Sequence, residues 1–164
     1  KGIGSLASEV TMASGTTAGL LVDGMDAILG VHIGTANSLF ISRLERRLDA
    51  LKVTPKQVAI LWLANANPGV KQSDLSRFFQ IERPTVHQFV RQLTKNGYLV
   101  NEPSKLDRRA GGLWITEDGE RVLEQSRQII AAHERELTAC LSDDERAELF
   151  RLVIKVCTSA PAKD

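Results

Sequence analysis

The segment from Gln72 to Thr116 constrains the fold of this chain more than any other part of its sequence. Apolar residues recur at helical spacing from about Gln72 to Phe79 and again from about Arg83 to Asn96, which predicts two short amphipathic helices. Only the three residues Gln80-Ile81-Glu82 connect them, and Gly97 is placed to end the second helix. Two helices joined by so short a turn form a helix-turn-helix unit.

The second of these helices has one apolar face and one face suited to nucleic acid. Val86, Phe89, Val90 and Leu93 follow the spacing of a core-facing stripe. The opposite face, together with Ser73 in the preceding helix, supplies the candidate DNA contacts. These are Ser73, Arg83, Pro84, Thr85, His87, Gln88, Arg91 and Lys95. Arginine can bind guanine, glutamine can pair with adenine and threonine can contact a thymine methyl group, and such a helix fits the major groove of DNA. The alternative is an ordinary solvated helix face.

A β-hairpin with a basic tip is predicted directly after the second helix. Residues 98–102 and 113–116 have the pattern of two strands, and the loop between them contains Lys105, Arg108 and Arg109. A basic hairpin beside a helix-turn-helix unit is a wing that can reach the minor groove or the DNA backbone. We expect Asp107 to pair with a neighbouring arginine and fix the loop. A solvated charged turn is the alternative.

The distribution of charge supports an anion-binding centre. The chain has a net charge of +1, but residues 71–112 carry eight Lys or Arg against four Asp or Glu, or +4, which leaves −3 for the rest. A basic region in an otherwise acidic chain is typical of a surface that binds anions. Chance asymmetry would give the same counts, so the charge alone does not decide the function.

Long helices are predicted on both sides of this region. Residues 26–51 have a helical pattern that Gly30 and Gly34 weaken, because glycine costs about 1 kcal/mol relative to alanine inside a helix. Thr54, Thr116 and Ser142 are predicted N-caps of helices that begin at about residues 55, 117 and 143. The predicted organisation is a flexible or partly helical arm (1–25), a long helix (26–51), a winged helix-turn-helix domain (52–117) and C-terminal helices (118–164).

Three stretches of the sequence together resemble the MarR (multiple antibiotic resistance regulator) family of winged-helix transcription factors. They read VTPKQVAILWLAN, QSDLSRFFQIERPTVHQFVRQLTKNGYLV and LDRRAGGLWITEDGERVL, and the resemblance extends from about Leu29 to Val156. Asp107, Arg108 and Arg109 match the family's D-R-R signature in the wing. Two departures are Lys71, where the family often has a capping Ser or Thr, and the pair Gly111-Gly112, where it often has a further basic residue.

The resemblance implies a mainly α fold with a two-stranded β-wing, and a homodimer that binds two half-sites of a pseudo-palindromic operator as a transcriptional repressor. The first and last helices would form the dimer interface, which agrees with their being too apolar for a small monomer to bury. The family often binds a small anionic or phenolic ligand that lowers DNA affinity by a population shift. The candidate ligand contacts are His32, Phe40, Arg43 and Trp62.

The sequence disfavours an enzyme. The three histidines are far apart and lack a metal-type partner four residues later, and no nucleophile or phosphate-loop motif occurs in a fitting context. We therefore expect no metal and no cofactor. A winged helix that contacts another protein instead of DNA remains the competing function.

The cysteines and the apolar segments give expectations about the compartment. Two cysteines are too few for a disulfide framework, so we expect Cys140 and Cys157 to be buried structural thiols in a cytoplasmic protein. A thiol that senses oxidants is the less favoured alternative. The most apolar stretch near the start, Ala18 to Ile33, contains Asp23 and Asp26 and is too short to span a bilayer, so we expect no targeting or membrane segment.

Overall fold

The structure is a computed structural model that describes residues 24–103 and 111–159. The chain divides between Arg43 and Leu44 into two compact units. The predicted N-terminal arm, apart from its last two residues, and the predicted tip of the wing lie outside the described residues.

Six α-helices and one β-hairpin make up the regular structure of the described residues. They are α1 (Leu29–Leu48), α2 (Pro55–Ala66), α3 (Gln72–Phe79), α4 (Arg83–Lys95), β1 (Leu99–Pro103), β2 (Gly111–Ile115), α5 (Glu117–Leu137) and α6 (Asp143–Ser159). Two short 3-10 helices, Met25–Ala27 and Asp49–Leu51, flank α1. The sequence-based prediction of a mainly α chain with one two-stranded wing is confirmed, with shifts of one to three residues at most element ends.

Residues 24–43 of the first unit leave most of their large apolar side chains in solvent. The exposed side chains are Met25, Ile28, Leu29, Ile33, Leu39 and Ile41. Gly30 and Gly34 lie within α1, and a Cβ added at either one would meet nothing within 4 Å in this chain. The described part of a single chain therefore gives no packing reason for two glycines inside this helix.

The second unit contains the hydrophobic core, which the winged helix-turn-helix elements share with α5. Its fully or nearly buried members are Leu48, Val53, Val58, Ile60, Leu61, Ala64, Leu75, Val86, Val90, Leu93, Leu99, Leu113 and Leu123. Within α4 the predicted inward face is confirmed, since Val86, Val90 and Leu93 are buried and Phe89 is half-buried. Burial of this face fixes which side of α4 turns to solvent.

Three N-caps predicted from the sequence are present. In α2, Gln57 N donates to Thr54 Oγ1 at 3.3 Å and Thr54 N donates to Gln57 Oε1 at 2.8 Å, which is a complete capping box. Thr116 Oγ1 accepts from the backbone N of Gly119 at 3.0 Å and begins α5. The same reciprocal bonds join Ser142 and Glu145 at the start of α6.

The candidate ligand contact Trp62 of α2 has 42% of its surface exposed. One prediction of burial is wrong. Cys140 and Cys157 were expected to be buried, but both are exposed free thiols. The reason is positional: Cys140 lies in the turn after α5, and Cys157 lies on α6, which buries none of its residues.

Candidate nucleic-acid interface

The turn between α3 and α4 is held by local hydrogen bonds. Gln80 ends α3 in the left-handed region with φ of 51°, which reverses the chain direction without a glycine. Ser76 Oγ then donates to the carbonyl of Ile81 at 2.7 Å, and the backbone N of Ile81 donates to the carbonyl of Ser76 at 3.2 Å. These bonds place Glu82 and the first turn of α4 directly beside α3.

The outward face of α4 is in solvent along its whole length. The exposed candidates on this helix are Arg83, Pro84, Thr85, His87, Gln88, Arg91 and Lys95. No carboxylate occurs within α4, and Glu82 at its N-cap makes no side-chain capping bond. The face is therefore a basic, amide-bearing surface that a ligand can reach.

A shallow depression of about 370 Å³ lies between the starts of α3 and α4. Gln72, Ser73, Arg83, Pro84 and His87 line it. The N-cap residue of α3 has no side-chain capping bond, and the first N–H groups of a helix carry partial positive charge when nothing caps them. The depression thus combines a helix start, a guanidinium group and an imidazole, which together suit an anion such as a DNA phosphate.

One contact of this depression, Gln72, was not singled out from the sequence, whereas Ser73 was. The position of Gln72 as the first residue of α3 could have identified it from the sequence, because side chains in the first helical turn lie near the exposed N–H groups. The sequence alone did not show that this turn would lie against Arg83 and His87.

The carboxylates near this surface do little to neutralise it. Residues 71–95 contain five Lys or Arg and two Asp or Glu, a net charge of +3. One of the two, Asp74, forms an ion pair with Arg77 in the same helix. The hydrogen bond from Arg77 lowers the pKa of the Asp74 carboxyl group below its usual range, so this pair is locally neutral at physiological pH.

The hairpin is joined directly to the helix-turn-helix unit. β1 and β2 pair antiparallel from Leu99 opposite Ile115 to Pro103 opposite Gly111. At its root, Tyr98 N donates to the carbonyl of Leu93 in α4 at 2.9 Å, and Val70, just before α3, forms a bridge with Leu113. The structure therefore confirms the wing and its place beside α4. Lys105, Asp107, Arg108 and Arg109 lie outside the described residues, so their roles stay predictions.

The candidate ligand contacts lie in different units of the chain. In the first unit, His32 and Phe40 are half-buried and Arg43 is exposed. In the second unit, the Arg127 guanidinium of α5 lies 4.6 Å from the centroid of the exposed Trp62 ring, a cation–π arrangement. The Nε of Arg127 is buried and has no hydrogen-bond partner among the described residues. Sequence reasoning missed Arg127, because the spacing of charges on α5 does not show which residue meets α2.

Residues 24–103 and 111–159 contain no cluster of three or more His, Cys, Asp or Glu side chains that could hold a metal ion. No helix there combines the length and the apolar character needed to cross a membrane.

Comparisons with known proteins agree with this geometry. The profile described as "MarR family" matches residues 53–110. A putative transcriptional regulatory protein for the hcr operon of Thauera aromatica is 29% identical over 142 residues, which cover 86% of each chain. These relatives are transcriptional regulators and not enzymes.

Solved structures have a similar fold over most of the chain. The transcriptional repressor CouR bound to a 23-mer DNA duplex is 27% identical, with a TM-score of 0.79 over 84% of this chain and 98% of that one. A mutant MarR from E. coli complexed with operator DNA is 23% identical, with a TM-score of 0.74 over 84% and 99% of the two chains, and shows likeness of fold. The match to the winged region, the relative of similar length and these structures together show that this chain is similar to MarR-family transcriptional regulators in sequence and in fold.

Proposed function

We propose that this regulator binds double-stranded DNA sequence-specifically, as a homodimer on a pseudo-palindromic operator, and represses transcription. The observation that carries the proposal is the solvent-exposed basic face of α4 beside the start of α3. In helix-turn-helix proteins the second helix enters the major groove, and the first crosses the DNA backbone. The DNA complexes of CouR and of E. coli MarR support the same use of this fold.

Within this proposal, α4 reads bases and the surrounding cations hold phosphates. Gln88 and Arg83 are proposed to contact base edges, because glutamine can pair with adenine and arginine with guanine. Ser73 and Arg91 are proposed phosphate contacts, and Lys105, Arg108 and Arg109 of the wing are proposed to reach the flanking groove or backbone. The predicted interior side of α4 is buried in the core, so only the basic side is available to DNA.

Two separate helices support the homodimer. Every described residue of α6 is exposed in the single chain, and so are Leu29, Ile33, Leu39 and Ile41 of α1. The exposed apolar side chains of α6 are Leu149, Phe150, Leu152, Val153, Ile154 and Val156. Contiguous apolar surface on a soluble protein marks an interaction site. A second copy that covers these helices would double the basic face and set two recognition helices about one turn of DNA apart.

Release by a small ligand is supported by one structural observation. The Arg127 guanidinium, which also pairs with Glu124 at 3.5 Å, lies over the exposed Trp62 ring. A cation on an aromatic surface suits a phenolic or anionic ligand. CouR, a structural neighbour, has been solved with p-coumaroyl-CoA, so we propose an effector of this chemical kind. His32, Phe40 and Arg43 remain proposed contacts in the first unit.

The proposal is tested by selecting bound duplexes from a random pool and titrating the selected site by anisotropy at about 50 and 200 mM salt. We expect binding to weaken steeply with salt because phosphate contacts release counterions. Gln88→Ala should relax preference at one base position by about 1–3 kcal/mol, because a bidentate contact is lost.

Gln125→Ala, an exposed substitution on α5, is the matched control and should leave both affinity and preference unchanged. Enrichment of no sequence, and no binding to any duplex at low salt, would favour the competing function of a winged helix that contacts proteins. Equal loss of preference in Gln88→Ala and Gln125→Ala would remove α4 as the reader of bases.

A further inference from the structure

His87 occupies the middle of a cationic row on α4. Arg83, His87 and Arg91 are spaced four residues apart, and all three are exposed. With a rise of about 1.5 Å per residue, the row spans about 12 Å, close to the width of the major groove. The imidazole therefore lies between two guanidinium groups on the face of α4 that is available to DNA.

The imidazole also lines the depression at the start of α3. Its fellow lining residues are Gln72, Ser73, Arg83 and Pro84, so no carboxylate borders the depression among the described residues. A phosphate seated there lies against the imidazole and the start of α3. The phosphate would then be the anion that faces His87.

The other charged groups around α4 do not replace that anion. The elements packed against α4 are α2, α3 and β1. These elements and the N-cap of α3 carry the charged side chains Lys56, Lys71, Asp74, Arg77 and Glu102. Besides the residues that line the depression, α4 and its N-cap carry Glu82, Arg91 and Lys95. Asp74 is engaged by Arg77, and neither Glu82 nor Glu102 lines the depression.

From this arrangement we infer that DNA binding by this chain is coupled to protonation of His87. The inference rests on the proposed DNA-binding function and adds a regulatory variable to it. Histidine is the side chain that ordinarily changes charge between pH 5 and 8, and an adjacent phosphate favours its charged form. Complex formation then takes up a proton, and DNA affinity rises as the pH falls toward about 6.

The size of the effect follows from counterion release. One additional cation on a phosphate steepens the logarithmic salt dependence by about 0.9. Between about 50 and 200 mM salt, a fourfold change, that contact alone weakens binding by a further factor of about 3.5. Uptake of at most one proton limits the pH dependence to about tenfold per pH unit.

The test compares the wild-type protein with His87→Gln and His87→Arg. Each is titrated with the same duplex, labelled with a dye that does not titrate in this range, at about pH 6 and pH 8 and at both salt concentrations. Calorimetry in two buffers of different ionisation enthalpy counts the protons taken up. His87 is exposed, so the variants are expected to fold, and the other histidines, His32 and His133, remain in every protein.

We expect wild-type affinity to be several-fold higher at pH 6, with a salt slope steeper by about 0.9. His87→Gln should lose the pH difference and keep the shallower slope, whereas His87→Arg should keep the steeper slope at both pH values. Equal pH dependence in wild type and His87→Gln, or no His87-dependent proton uptake, would overturn the inference while leaving DNA binding intact. Absence of binding to any duplex at either pH would instead overturn the proposed function.

Discussion

Replacement of Gly119 by alanine should destabilise this protein, although the same change inside most helices is stabilising. Gly119 is buried in the first turn of α5, where its N donates to Thr116 Oγ1. A Cβ at this position would lie 2.2 Å from the backbone oxygen of Tyr98 and 2.8 Å from Cγ1 of Ile115. Glycine is therefore required here by close approach of the wing root to α5, and not by its backbone angles.

The net effect is a balance of three contributions. Alanine gains about 1 kcal/mol of helix propensity over glycine. Against this, relief of the overlap requires a shift of more than about 1 Å, because ordinary contacts begin near 3.4 Å. Such overpacking costs about 1–3 kcal/mol. The shift also strains the 3.1 Å bond from Thr116 N to the carbonyl of Tyr98, which contributes about 1 kcal/mol. The expected net loss is about 1–3 kcal/mol.

Denaturant unfolding at fixed protein concentration measures this loss directly. In a chain of this length each kcal/mol lowers the Tm by about 2–4 °C, so a fall of about 2–12 °C is expected. Gln125→Ala, at an exposed position later in the same helix, should stay within about 0.5 kcal/mol of wild type. A Gly119→Ala protein as stable as wild type, or more stable, would refute the close approach between the wing root and α5.

Three further perturbations probe other parts of the structure. Thr54→Ala removes one half of the capping box with Gln57 and should cost about 1 kcal/mol of unfolding free energy; an unchanged denaturation midpoint would contradict this. Phe150 is 70% exposed on α6. Phe150→Asp should weaken dimerisation about 100-fold, since a buried Phe contributes up to about 3 kcal/mol. A wild-type sedimentation profile at low concentration would argue against α6 as the interface. Arg109→Ala should weaken binding to all duplexes alike and reduce the salt slope by about 1; unchanged affinity at physiological salt would remove this residue from the proposed contacts.

The sequence by itself determined the order of the elements and the inward face of α4. The i, i+3, i+4, i+7 pattern from Val86 to Leu93 identified the buried side of α4, and therefore the basic side that remains in solvent. The Thr54 and Ser142 caps located two helix starts, because capping bonds join residues only three positions apart. These features depend on interactions between residues that lie close together in the sequence.

Tertiary structure decided which residues of different elements come into contact. The packing of α3 on α4 brought Gln72 into one depression with Arg83 and His87. Contact between α2 and α5 set Arg127 over Trp62 and left that ring partly exposed. Such pairings depend on how the packed elements cross. A periodic pattern shows that a residue faces inward or outward, but not which residue of another element it will touch.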